Sequence, residues 1–272
     1  MTPAVDVVIV SYNTRDDLDA CLASIEAAPP AALGAIFVVD NASADGTPAH
    51  VRERRPRVRL IALDRNVGFA AANNIAIRES TAPLVLLLNS DTIVPAGAID
   101  ALVTRREATG ATVIGPRLVD GRGRPEVSFG PMLTPLAEAV QRLRVRAAAS
   151  EGALARRYVE RLVSRERTVD WVSGAALLVA RDPAIAAGLL DERYFLYEED
   201  VDFCASIRAH GGRVVFTPRV DIVHLRGRSV ARATPGSHAL YDRAHVTFYE
   251  KHAPRWAPWL RRWLAVRGRT VR

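Results

Sequence analysis

The chain has 272 residues, 49% hydrophobic and 25% charged, which gives one large domain or two small ones a core of their own and excludes both a disulfide-stapled mini-protein and a disordered chain. Thirty-seven basic against 30 acidic residues leave a formal charge of +7. That balance favours anionic partners, although Lys251 is the only lysine and an arginine-rich gene composition alone accounts for much of the excess.

The first strand is predicted over Val5 to Val10, and the residues before it lack the basic start and apolar core of a secretory signal. Thr14 reads as the N-cap of the helix that follows, with Asp17 three residues on and Leu18, Cys21, Leu22 and Ile25 at helical spacing. A strand is expected near Ala35 to Asp40, a helix opened by Thr47-Pro48, a strand near Val58 to Leu63, a helix from Phe69 through Ile77 and a strand near Leu84 to Asn89. This alternation of short β-branched runs with helices predicts an α/β fold, a Rossmann-like and mostly parallel sheet flanked by helices. Beyond it come a strand near Thr112 to Val119, a loop at 120–125, an Arg/Ala-rich helical insert over 131–168 and a strand through Trp171 to Val179. A helix from about Glu198 to His210, closed by Gly211-Gly212, leads to a strand near Arg213 to Thr217 and a short apolar run ending at His224; the chain is helical again from about Pro235. Apolar runs such as Leu84 to Leu88 fall far short of the roughly 20 residues a bilayer span needs. The expected location is therefore the cytosol, with Cys21 and Cys204, far apart in sequence, as free thiols.

Ligands of open α/β sheets bind beyond the carboxyl ends of the strands. Three of those ends are polar here: Ser11-Tyr12-Asn13, Asp40 through Thr47, and Asn89-Ser90-Asp91. Each alone has a reading as turn and cap chemistry, but a parallel sheet brings all three to one edge. Asp91, following a buried apolar run, sets a carboxylate at the mouth of the crevice, where magnesium takes one or two carboxylates and completes its shell with phosphate oxygens and water. Glu198, Glu199, Asp200 and Asp202 gather at a helix start. The helix dipole favours acids there without requiring four, and one of them beside a metal-bound diphosphate can act as general base toward a hydroxyl. His224 has a structural reading unless a metal lies within reach.

These stretches, with Asn66-Val67-Gly68-Phe69, Val172-Ser173-Gly174-Ala175, Phe195 through Cys204 and Val223-His224, occur in an order and spacing that resemble the family 2 glycosyltransferases, inverting enzymes of the GT-A fold, and among them the rhamnosyltransferase-like branch. The resemblance spans about residues 5 to 228. It implies that Asp40 accepts a hydrogen bond from the imide N–H of uracil or thymine, that Ser11 and Asn13 line the same nucleotide pocket, and that Asn66, Gly68, Asn89 and Ser90 lie close to the donor. Asp91 matches the last residue of the family's DxD metal motif, although Asn89 stands at its first position. His224 completes the site for a divalent metal, magnesium or manganese. Asp200 matches the catalytic aspartate, with Glu199 orienting it or the acceptor, and Trp171 and Gly174 join Glu199 on the acceptor side. The implied reaction moves a sugar, rhamnose from dTDP-rhamnose ahead of sugars from UDP donors, to a hydroxyl of a glycan or polyprenyl diphosphate-linked acceptor. Attack from the face opposite the leaving group, with Asp200 taking the proton, inverts the anomeric centre.

Near the C-terminus, Trp256, Trp259, Leu260, Trp263 and Leu264 fall on one helical face, and from Lys251 onward there are seven basic residues and no acidic one. A basic helix with interfacial aromatics docks on a membrane surface, or packs its stripe on its own domain. The chain divides into a glycosyltransferase domain over 1–234, made of a nucleotide-binding half (1–119), a variable loop and helical insert (120–170) and an acceptor half (171–234), followed by a basic helical tail over 235–272. The alternatives fit less well. A sugar nucleotidyltransferase carries a Gly-rich basic loop after its first strand, which Ser11-Tyr12-Asn13-Thr14 is not. A non-catalytic module binding glycan is disfavoured by the acids at 40, 91 and 200, and one binding nucleic acid lacks any motif of that class and would set the acids of 198–202 against phosphates.

Overall fold

A computed structural model describes residues 5–225 and 237–269. Its first half follows the predicted alternation: β1 (Val5–Ser11), α1 (Arg15–Ala27), β2 (Leu33–Asp40), α2 (Thr47–Arg54), β3 (Arg59–Ala62), α3 (Phe69–Glu79) and β4 (Leu84–Asn89). β5 (Thr92–Ile93), α4 (Ala98–Thr109), β6 (Val113–Val119), β7 (Phe129–Gly130), α5 (Pro135–Ala149), α6 (Ala153–Leu162) and β8 (Arg167–Thr168) come next. The remaining elements are β9 (Trp171–Val172), β10 (Ala176–Ala180), α7 (Arg181–Ala186), α8 (Glu199–Ala209), β11 (Val214–His224), α9 (Ser237–His252) and α10 (Ala257–Val266). The expected boundary at 234/235 and the helix start at Pro235 lie outside the described residues.

The main sheet runs β3-β2-β1-β4-β10-β6-β11-β5, with β8 paired to β11. Strands β3, β2, β1 and β4 are mutually parallel, β10 is antiparallel to both β4 and β6, and β11 is parallel to β6. Reversal at β10 has a functional consequence. It brings the start of β10 to the edge where β1, β2, β4 and β11 end, so the Ser173-Gly174-Ala175 turn faces the polar strand ends and Ala175 O accepts from Asn89 N at 3.0 Å. Side chains of β1 divide by parity: Val5, Val7 and Ile9 pack with α1 and α4 on one face, while Val8 and Val10 pack with α3 and α8 on the other. Burial on both faces is why the strand reads as an unbroken apolar run.

Two expectations change in detail. Thr14 precedes α1 without capping it, because its hydroxyl lies 3.0 Å from Ser11 Oγ and 2.9 Å from Ser90 Oγ, tying the ends of β1 and β4. The first helical N–H, on Arg15, instead donates to Asp45 at 2.9 Å. The run 171–179 is two strands, since β9 pairs with β7 in a small separate sheet and only β10 enters the main one. The insert forms two helices, the first capped by the Thr134 hydroxyl, which accepts from Ala137 N at 3.2 Å, with Pro135 in its first turn. The C-terminal chain also joins the fold: Ala244, Phe248 and Tyr249 of α9 and Ala257 of α10 form a third apolar cluster with Tyr194, just before the acidic segment, and Val201, within it.

Candidate active site

The acidic segment is held from both sides. Gly68, at φ +89°, lies so close to Phe195 that an added Cβ would sit 2.6 Å from the Phe195 carbonyl oxygen, and Phe69 N donates to that oxygen at 2.7 Å. Only glycine admits both that backbone angle and that approach. Asn41 fixes the opposite side of the turn, its Oδ1 accepting from Val67 N at 2.8 Å and its Nδ2 donating to Gly68 O at 3.2 Å. Tyr197 and Glu198 both adopt left-handed backbone angles, φ 73° and 63°. Such strain persists where the surroundings over-determine it.

Asp200, in the first turn of α8, receives the Gly174 N–H at 2.8 Å on Oδ2 and the Val201 N–H at 2.8 Å on Oδ1. Burial raises its pKa and the two backbone donors oppose the rise. Glu199 is pushed up further, by burial and by the neighbouring Asp200 charge, and its Oε2 has no partner among the described residues. The pair is therefore graded: Asp200 carries donors and faces the crevice, so it ionises ahead of Glu199.

Two hollows meet at this carboxylate. One, about 280 Å³, is lined by Asn66, Gly68, Asn89, Ser90, Gly174, Glu199 and Asp200, with Tyr12, Thr14 and Asn41 beside them. The other, about 450 Å³, lies between α5, α9 and β9; it is lined by Trp171 and again by Tyr197, Glu198 and Asp200. Ser11, Asn13, Asp40, Asp91 and His224 line neither. Ser11 is buried under the Thr14 hydroxyl. Asn13 joins two loops, its N–H donating to Ser43 Oγ at 2.9 Å and its Oδ1 accepting from Ala44 N at 2.8 Å. Asp40 is 1% exposed; Oδ2 accepts from Ser43 N at 2.9 Å, while the buried Oδ1 has no partner among the described residues.

At the ends of β4 and β11, His224 Nε2 stands 3.4 Å from Asp91 Oδ1 and 3.5 Å from Asn89 Nδ2, and its Nδ1 stands 3.3 Å from Glu126 Oε2. Burial alone would lower the His224 pKa, but hydrogen bonds to Asp91 and Glu126 raise it to about 9. Among the described residues no three His, Cys, Asp or Glu side chains form a ready-made metal cage. The donor set nonetheless fits a divalent ion. One carboxylate and one imidazole nitrogen face each other, a second carboxylate orients the ring from behind, and phosphate oxygens and water supply the remaining positions.

Comparison with known proteins decides the family. The sequence profile of glycosyl transferase family 2 matches residues 6–159, more than half of the chain. The chain belongs to glycosyl transferase family 2. It is 30% identical, over 96% of its own length and 89% of the relative's, to the N-acetylglucosaminyl-diphospho-decaprenol L-rhamnosyltransferase of Mycobacterium tuberculosis. Two solved structures share its fold. The crystal structure of GalNAc-T7 with UDP, GalNAc and Mn2+ has a TM-score of 0.63 at 15% identity, covering 91% of this chain and 47% of that one. The mannosyltransferase PcManGT from Pyrobaculum calidifontis, in complex with GDP-Man and Mn2+, has a TM-score of 0.60 at 20% identity, covering 96% and 68%. The protein is a glycosyltransferase, and its sheet is that of the GT-A fold.

Several residues that shape this glycosyltransferase's site carried no sequence signal. Glu126 lies 98 residues from the histidine it faces. Glu198 accepts from His245 Nδ1 at 2.6 Å, and the same ring meets Glu138 through Nε2 at 3.2 Å. Asp202 is bound by Lys251 at 2.9 Å and His252 at 2.6 Å. The acidic segment is thus braced by α9 and by the insert. Asn41 and Thr14 could have been found, since each adjoins a strand end already singled out.

Proposed function

We propose that this glycosyltransferase moves rhamnose from dTDP-rhamnose, or failing that a sugar from a UDP donor, to a hydroxyl of a lipid-linked or cell-surface glycan with inversion. The observation that carries the reading is the position of Asp200: of the two carboxylates that border both hollows, Glu198 is engaged by His245 at 2.6 Å, so Asp200 is the one placed to take a proton from a hydroxyl arriving in the larger while a donor fills the smaller. In this reading Asp40 takes the imide N–H of the base through its unpartnered Oδ1. Asn66, Gly68, Asn89 and Ser90 border the donor, with Ser11 and Asn13 holding the loops around it. Asp91 and His224 hold magnesium or manganese, which when bound neutralises charge developing on the departing diphosphate. Asp200 accepts the acceptor proton, Glu199 stays protonated and orients it, and Trp171 shapes the acceptor side, whereas Gly174, expected there too, lines the smaller hollow and acts through its N–H on Asp200.

The similar M. tuberculosis enzyme is named for a diphospho-decaprenol-linked acceptor, which supports a polyprenyl diphosphate-linked acceptor here. No helix among the described residues is long and apolar enough to cross a membrane. Attachment would then be peripheral, on the inner face of the cytoplasmic membrane, through 255–264. In α10 and the residue before it, Trp256, Trp259 and Trp263 stay exposed while Leu264 packs inward. The chain divides as nucleotide-binding half, insert, acceptor half and basic tail over the ranges given above.

The test is a panel of dTDP- and UDP-sugars with magnesium or manganese and an N-acetylglucosaminyl diphosphate prenyl acceptor, the product's anomeric configuration being read by NMR. Rhamnose transfer with inversion is expected. Retention, or pyrophosphate release from a sugar phosphate and a nucleoside triphosphate, would overturn the reading.

A further inference from the structure

We infer that the 450 Å³ groove between α5 and α9 is a diphosphate-reading acceptor site, in which Arg142 and Arg146 bind the anionic link of a prenyl diphosphate-linked glycan while its sugar hydroxyl reaches Asp200. The inference rests on the reading of Asp200 as the base, and it gives the insert a task.

The charge pattern of the groove carries the argument. Its acids other than Asp200 are already engaged inside the protein: Glu138 by His245 at 3.2 Å, by the Tyr249 hydroxyl and by Arg142 at 2.8 Å, and Glu198 by His245 at 2.6 Å. Arg142 spends part of its five-donor fork on Glu138. Arg146 lines the groove one helical turn further on and has no acidic partner among the described residues. Two guanidiniums four residues apart on one helix face form a fork suited to the bidentate oxygens of a diphosphate. The opposite wall is aromatic, from Trp171, Tyr197 and Tyr241, with Trp171 pinned by its Nε1 donating to Pro131 O at 2.9 Å. Rigid rings beside a carboxylate suit the apolar face and hydroxyls of a sugar. The volume lies within the range of small-ligand sites, about 300–1,000 Å³.

The probe is geranyl diphosphate, titrated calorimetrically into the full chain with EDTA present, so that the Asp91 side recruits no cation. Wild type is expected to bind, and Arg146→Ala to weaken binding about tenfold or more, the worth of a charged hydrogen bond. Arg146→Lys should recover part of the loss, and Arg157→Ala, the same charge change on α6 outside the groove, should shift affinity less than about twofold. Binding of dTDP with manganese reports that each variant is folded. Equal weakening by Arg157→Ala and Arg146→Ala would reduce the effect to general cationic attraction and overturn the proposal, as would no binding to wild type. Phosphatidylglycerol vesicles separate the two phosphate sources: if they compete with geranyl diphosphate through Arg146, the arginines read lipid headgroups and the proposal falls. Asp200→Asn should still bind the probe. An Asp200→Asn enzyme with full turnover but intact Arg146-dependent binding would sink the base assignment and leave the prenyl diphosphate site standing.

Discussion

Asp200 illustrates how one residue's surroundings set its chemistry. Two backbone N–H groups keep it ionisable in a buried place, while burial raises its pKa above that of an ordinary aspartate. A base with a raised pKa is lost to protonation sooner as pH falls, so the acid limb of kcat/KM should lie above the usual carboxylate range, near 3.9 for aspartate. Asp200→Asn should lose about 10²- to 10⁴-fold in turnover and retain donor affinity measured by calorimetry. Asp91→Ala should lose the manganese-dependent part of donor binding, read in the same titration with and without EDTA. Gly68→Ala tests the turn. A Cβ 2.6 Å from the Phe195 carbonyl cannot be accommodated without moving the loop that leads to Asp200, and a left-handed angle on alanine adds about 1 kcal/mol or more. Reduced activity with a lowered melting temperature is the expected result.

At the scale of elements, α9 and the insert do what the strand ends cannot: they hold the acidic segment from outside the sheet. His245, buried between Glu138 and Glu198, has its pKa raised to about 9, burial opposing and the two carboxylates prevailing. A raised pKa means that its contribution to stability is complete below the ordinary value of about 6.5 and is lost as pH rises through about 9. His245→Gln should therefore cost stability most at pH 6, up to about 3–5 kcal/mol where buried carboxylates lose their partner. Thermal melts should then show a flatter pH dependence in the variant between pH 6.5 and 9 than in wild type. This brace also lies beyond what local sequence patterns encode. β1, β2, β4, α1 and α3 were legible because their apolar spacing is local, and Asp200 and Gly174 because they sit in recognisable segments. The contacts of His245 with Glu198, Lys251 with Asp202 and Glu126 with His224 join residues 47 to 98 positions apart, and no spacing rule encodes that separation. β9 and β10 read as one strand in the sequence because an apolar run continues through a turn whose partner, Asp200 at the Gly174 N–H, comes 26 residues later.

For the molecule as a whole, the tail's positive charge is smaller than its composition indicates. Lys251 is committed to Asp191 and Asp202, Arg261 to Glu250 and Arg269 to Asp242, while Arg267 lies 4.1 Å over the Trp263 ring. The tryptophans are the larger part of the surface argument, with Trp259 at 68% exposure. Flotation with vesicles containing anionic lipid should recover the full chain, and replacing Trp256, Trp259 and Trp263 together with alanine should release most of it. Equal flotation of the two would remove the membrane-surface proposal. Cutting the chain at Glu250 is a poorer test, because it also takes away Lys251 and His252 from Asp202.

The placement of Asp200 on two hollows also bears on waste. If the smaller hollow holds the donor, then while the larger one is vacant water is the smallest hydroxyl that could meet the sugar beside Asp200. A seated glycan would then serve as a stopper as well as a reactant, and frugality with the donor would depend on how long the acceptor stays.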